Sequence, residues 1–250
     1  MEGVPSLTDD QVPGSRIDPP ARPGRDPLSR RHIVDAAIAA VDENGLGSLT
    51  MRNLGQRLGV EAMSLYRYVN GREDLLEEMV DRLVEELRVD PHNDEMLPAD
   101  GWQAYLQWLA HGVRKLARAH PNVFPLIATR HPAAPWLRPP LRSLEVVEDF
   151  LVALVSRGFS DDSAVAAYRA FSSFLLGHLL LEVASMGAST APAEEALDEG
   201  DAEVPDRDLS LDPFPETRRL QPLLTQDLAD VEFELSLEQL LDRLDRLVSE

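Results

Sequence analysis

Cysteine is absent from the 250-residue chain, which removes disulfides, thiolate metal sites and cysteine nucleophiles together. Lysine is nearly absent: Lys115 stands alone among 24 basic side chains, so almost every positive charge is a guanidinium. No Gly-rich phosphate loop, GxSxG elbow or paired-carboxylate pattern occurs. No apolar run is expected to approach the roughly 20 residues of a bilayer span. The opening MEGVPSLTDDQVPGSRID lacks the basic start and apolar middle of a secretory signal. These absences lead us to expect a cytoplasmic protein with no membrane partner and no cofactor.

What is present supports a sizeable core. A hydrophobic content of 44% in 27.8 kDa suits one large helical unit or two smaller domains. The net charge of -20 is unevenly spread. Residues 16–75 hold nine arginines against eight acids, a net +1, whereas 190–216 hold ten acids against Arg207, a net -9. Asymmetry of this kind suits a chain with one end meeting phosphate and the other avoiding it, although acidic loops can also be simply solvated.

The stretch 29–72 organises the rest. Ile33, Ala36, Ala37, Ile38, Ala40 and Val41 recur at helical spacing until Asn44 and Gly45 stop the helix. Thr50 is placed to cap a second, short helix with Leu54 and Leu58 on one face, and Gly59 supplies the turn that a Cβ would resist. A third helix is expected from about 61, with Leu65 and Val69 facing inward. Two short helices joined by a glycine turn form a helix-turn-helix, whose second helix offers its outer face to the DNA major groove. That face is Ala62, Met63, Ser64, Arg67 and Tyr68. Arginine can fork onto guanine, serine can bond several bases, and alanine or methionine can lie on a thymine methyl. Tyr66, Thr50 and Arg72 are better placed for phosphates. On spacing alone, the pattern equally suits a small helical core with no DNA partner.

Residues 1–27 are aperiodic and rich in Pro, Gly, Asp and Arg, the composition of a disordered arm. Its Arg16, Arg22 and Arg25, followed by Arg30 and Arg31, suit either minor-groove entry or a solvated tail. A fourth helix over about 73–87 carries an apolar stripe from Leu75 to Leu87 and leads into the second half of the chain. PHNDEMLPADG then breaks the pattern near 90–101. Further helices are expected over 102–119, 122–128, 140–157, 160–186, 216–224 and 235–248. The segment 187–213 lacks periodicity and is expected to be a flexible acidic loop.

The whole is therefore expected to be all-α: a helix-turn-helix DNA-binding domain over 28–75 and a helical effector-binding and dimerisation domain over 76–250. The helix over 160–186 and the last helix are the candidate dimer interface, since their exposed apolar area would burden a monomer. Trp102, Tyr105, Trp108, Phe124, Trp136, Phe150, Phe171, Phe174 and His178 are the candidate ligand-binding residues, although for any one of them plain core packing is the better account. His178 and Glu182 lie four apart, as metal ligands would, but no second copy of a di-metal pattern exists and no metal is expected. His111, His120 and His131 are scattered; His120 precedes a proline, where capping is the expected role.

The helix ending in ENG, the segment SLTMRNLGQRLGV, the LYRYV recognition helix and NGREDLLEEMVDRL together resemble the TetR (tetracycline-repressor-like) family of one-component transcriptional regulators. The close match covers about 29–88. The resemblance implies a homodimer that binds a palindromic operator on double-stranded DNA and lets go when a small apolar or amphipathic effector binds. It also implies DNA contacts at the positions matching Arg52, Ser64, Tyr66, Arg67, Tyr68 and Arg72. Met63 departs from the family, where Pro or Gly is frequent, so the operator is not transferable from a relative. Two alternatives stay open: a DNA-binding dimer without an effector, and a helical-bundle enzyme.

Overall fold

The computed structural model describes residues 28–89, 101–129, 131–189 and 211–248. Among these residues every regular element is a helix, in agreement with the all-α expectation. The expected arm with Arg16, Arg22 and Arg25, the break at 90–100 and the central part of the acidic loop, 190–210, lie outside the described residues.

Four helices build the first unit: α1 (Arg30–Asn44), α2 (Met51–Leu58), α3 (Ala62–Leu65) and α4 (Arg72–Val89), with a single 3-10 turn at Leu46–Ser48. Ser29 caps α1, its Oγ accepting from the His32 N–H at 3.2 Å. Thr50 caps α2 in the same way through Asn53 at 3.1 Å. Gly59 sits in the left-handed region at φ 66° and its N–H donates to the Gln56 carbonyl at 3.1 Å, which lets the chain reverse between α2 and α3. Ile33, Ala37, Val41, Leu54, Leu65, Val69, Leu75 and Met79 fill the space between these helices and are almost wholly buried.

The third helix is shorter than its spacing predicts. It ends at Leu65 and continues as one turn, in which the Tyr68 and Val69 N–H groups both donate to the Leu65 carbonyl. The aromatic and β-branched run Tyr66 to Val69 is a weak helix former. Asp74 of α4 then draws the Asn70 N–H away at 2.7 Å.

Beyond α4 come α5 (Trp102–Ala119), α6 (Phe124–Ile127), α7 (Leu144–Val155), α8 (Asp161–Ser185), α9 (Pro215–Leu224) and α10 (Ala229–Val248). The α8 helix lies at the centre and packs against α5, α6, α7 and α10. Two helix starts differ from expectation by four residues or more. α7 begins at Leu144 rather than 140, where the Ser143 hydroxyl caps it by accepting from the Val146 N–H at 3.4 Å. α10 begins at Ala229 rather than 235, and the extra turns bury Phe233 completely.

A further correction concerns α8. Over 18 residues its mean hydropathy reaches 1.4, which by length and composition alone is enough to cross a bilayer. The reason lies in the core: Tyr168, Phe171, Leu175, Leu179 and Val183 are buried by neighbouring helices. A helix covered on several sides has no broad polar face.

Ion pairs close the seam between the first unit and the rest. His120, at the end of α5, places Nδ1 2.7 Å from Asp42 of α1 and Nε2 3.5 Å from Glu86 of α4. The hydrogen bond to Asp42, helped by both carboxylate charges and opposed by burial, raises the His120 pKa above its ordinary 6.5. Since the folded value exceeds the unfolded one, the stabilisation is complete below about pH 6.5 and is lost as pH rises through the raised value. Calorimetry from about pH 5.5 to about pH 9 should therefore find the Tm gap between wild type and His120→Gln widest at the acid end. A gap independent of pH would remove the charged pair from this account.

Candidate nucleic-acid interface and apolar cavity

The position of α3 is set by a glycine in α2. A Cβ on Gly55 would lie 3.0 Å from the Val60 carbonyl oxygen and 3.1 Å from the Ala62 nitrogen, tighter than ordinary contact, so glycine lets the two helices meet this closely without either one shifting. With Leu65 and Val69 buried behind it, the opposite side of α3 and its following turn face solvent. Met63 is 72% exposed and Tyr66 46% exposed. Arg52 and Arg67 are exposed and carry no ion pair among the described residues, while Ala62 and Ser64 are half-buried beside them. Thr50 is exposed, with its hydroxyl engaged in the α2 cap.

The other candidates in this unit are held more firmly. Tyr68 is half-buried and packs against the core. Arg72 donates from Nε to the Leu49 carbonyl at 3.4 Å, anchoring the start of α4 to the residue before the α2 cap. Arg30 pairs with Asp74 at 3.1 Å and Glu78 at 2.6 Å, so it braces α1 against α4.

A second feature lies in the later helices. A small cavity of about 60 Å³ runs between α4, α5, α6, α7 and α8. Val84, Leu87, Leu109, Val113, Leu116, Ile127, Leu141 and Val146 supply aliphatic walls, and Phe150, Tyr168, Phe171, Leu175 and Leu176 complete them. Its polar side chains among the described residues are the hydroxyls of Ser143, Ser172 and Tyr168, and no charged residue among them lines it. Tyr168 donates to the Pro139 carbonyl at 3.1 Å, and burial pushes its pKa up to about 12, so it is a neutral hydrogen-bonding group here. Apolar walls with a few hydroxyls suit an uncharged or amphipathic small molecule.

Of the nine residues singled out for ligand binding, Phe150 and Phe171 line this cavity. Tyr105 and Trp108 stack on each other at 5.9 Å on α5, and Tyr105 lies 6.4 Å from Phe150. Trp102 packs edge-on against Phe159. Phe124 is buried in the core, and Trp136 is 71% exposed. Phe174 and His178 gather around Phe233 of α10. Sequence reasoning missed Tyr168, Ser172 and the aliphatic walls. Yet Tyr168, Phe171, Ser172 and Leu175 recur at the three-and-four spacing of one helical face.

The Phe233 cluster also holds an ion pair that sequence did not reveal. Arg114 of α5 is buried and donates to Glu182 of α8 at 2.8 to 3.2 Å. It also reaches Asp230 at 2.8 Å and lies 4.4 Å over the Phe233 ring. Glu182 is therefore committed to arginine rather than to a metal beside His178, and no group of three metal-ligating side chains occurs among the described residues.

A trihelical head with a bare outer helix, joined by one long helix to a helical body that encloses an apolar cavity, defines a helix-turn-helix protein with a companion domain. Residues 33–79 match the family of bacterial regulatory proteins typified by tetR. Residues 96–248 match the tetracyclin repressor-like C-terminal domain. The chain belongs to the TetR family. It is 32% identical over 159 residues to the HTH-type transcriptional repressor DrrR1 of Streptomyces coeruleorubidus, covering 62% of this chain and 55% of that one. It is 32% identical over 157 residues to the tetracycline repressor protein class D of Escherichia coli, covering 61% and 66%. The match thus spans between about half and two thirds of these relatives' length.

Among solved structures, a possible TetR family regulator from Streptomyces coelicolor A3(2) superposes with a TM-score of 0.65 at 27% identity, covering 88% of this chain and all of that one. The S. coelicolor TetR family protein ActR, in complex with actinorhodin, gives 0.63 at 26% identity, covering 90% of this chain and all of that one.

Proposed function

We propose that this chain is a ligand-responsive transcriptional repressor that grips a palindromic operator as a homodimer and releases it when a small apolar or amphipathic molecule enters the cavity. The division into a reading head over 28–75 and an effector and dimerisation domain over 76–250 is part of this proposal, as are a cytoplasmic location and the lack of catalytic activity. The observation that carries it is the bare outer side of α3, with Met63 72% exposed over a buried Leu65. The relatives named as repressors and the neighbour solved with actinorhodin support it.

Dimerisation is supported by the later helices. α9 buries none of its residues, and Phe214, Leu223 and Leu224 stand at least half exposed on or beside it. Leu181 of α8 and Val231 and Leu235 of α10 add to this apolar surface. Pairing across a two-fold axis would cover it and would set two recognition helices about 34–36 Å apart, the repeat of the major groove. The enzyme reading has less to stand on, because among the described residues the polar side chains lining the cavity are hydroxyls.

Arg67→Ala tests the reading head. A bidentate contact to a base is worth ~1–3 kcal/mol. Affinity for the duplex that wild type selects from a random pool should fall by that amount, with base choice relaxed at one position per half-site, in a mobility-shift titration. Equal loss on every duplex would show that Arg67 reads only phosphate.

A further inference from the structure

Arg142 is an anomaly that the proposed function leaves unexplained. It is an arginine with its side chain only 6% exposed, and its Nε is buried with no hydrogen-bond partner among the described residues. Its neighbours in sequence, Leu141 and Ser143, both line the cavity, yet its guanidinium reaches toward the head. Nη2 donates to Glu73 at 2.8 Å, and Glu73 is the second residue of α4, next to Arg72. The Arg142 backbone N–H donates to the carbonyl of Ile127, another lining residue, at 3.0 Å, and Nη1 reaches Thr129 at 3.3 Å.

We infer that Arg142 is the positioning residue that ties the cavity wall to the first turn of α4, so that occupation of the cavity is felt at the reading head through Glu73. This rests on the effector reading above. Among its contacts with the later helices, α4 meets the cavity near its far end through Val84 and Leu87, where His120 also reaches Glu86, and is held at its start where Arg142 bonds Glu73. At 1.5 Å per residue these places are roughly 17–21 Å apart. A push at the far end with the start held fixed tilts α4; with the start released, the same push can be absorbed without moving the head. Arg72, adjacent to Glu73 and bonded to the Leu49 carbonyl, hands the tilt to the α2 cap. Burying a guanidinium with one N–H unsatisfied is costly, and here that cost accompanies a contact between two units.

The test needs no known effector. Ser172→Phe, with Val146→Phe as a second variant, fills the cavity from within and stands in for a bound molecule. Glu73→Ala, whose side chain is 64% exposed in the wild type, cuts the tie at its solvent end; Arg142→Met cuts it at the other. Affinity for the selected duplex is measured for the filler, the cut and their combination, with melting curves to establish that each protein is folded. Filling should weaken binding about tenfold or more when the tie is intact, and by no more than about twofold, the limit expected of independent sites, when it is cut. Equal weakening in both backgrounds overturns the tie and leaves the effector reading standing. No weakening from either filler with the tie intact overturns both.

Discussion

Arg114→Leu is expected to cost ~3–5 kcal/mol of unfolding free energy, because it strands the Glu182 carboxylate inside the protein. The Glu182 side chain is 8% exposed, and without Arg114 its remaining partner among the described residues is Arg118 at 3.5 Å. Glu182→Leu should be milder. It leaves the arginine with Asp230 at 2.8 Å and the Phe233 face at 4.4 Å, both of which still meet the guanidinium charge. Putting leucine at both positions should recover most of the loss, since an apolar pair removes the desolvation cost of both ions. Urea unfolding of the three variants at one protein concentration decides the matter. Losses that simply add in the double variant would mean that the two side chains do not act as a pair.

Gly55→Val should silence the head with little effect elsewhere. The atoms that a Cβ would meet, Val60 O, Ala62 N and Ala62 Cα at 3.0 to 3.3 Å, belong to backbone and cannot swing aside. The branched side chain must push α3 away from α2, at ~1–3 kcal/mol of overpacking. Operator affinity is expected to drop by more than about tenfold, because recognition depends on where α3 sits relative to the contacts that α2 makes. Sedimentation should find the oligomeric state unchanged. Wild-type binding by the valine variant would mean that α3 does not read DNA in the pose seen here.

Local signals were readable from sequence wherever one residue decides the backbone. Thr50, Gly59 and Ser160 mark helix ends with side chains or torsions that act within four residues, and α5 spans Trp102–Ala119 as its apolar spacing predicts. The early start of α10 was also within reach: Phe233 precedes Leu237 by four and Leu241 by eight, on one face. The turn of charged and polar residues around it obscured that register. Other features were not legible because their causes are distant. Nothing in the local sequence marks Arg114 and Arg142 as buried, because their partners lie 68 and 69 residues away. Aromatic side chains are the sequence marker expected of a ligand cavity. Most of those instead pack the core or face solvent, and the space is left between aliphatic stripes indistinguishable in sequence from filled core.

The two-ended contact of α4 has a consequence for genetics. Leu76, Leu83 and Val84 are buried along a single rod that serves both halves of the molecule, so mutants isolated for permanent silence and mutants isolated for runaway expression should map to the same few codons. A screen sorted by phenotype alone would find no border there between sensing alleles and operator alleles.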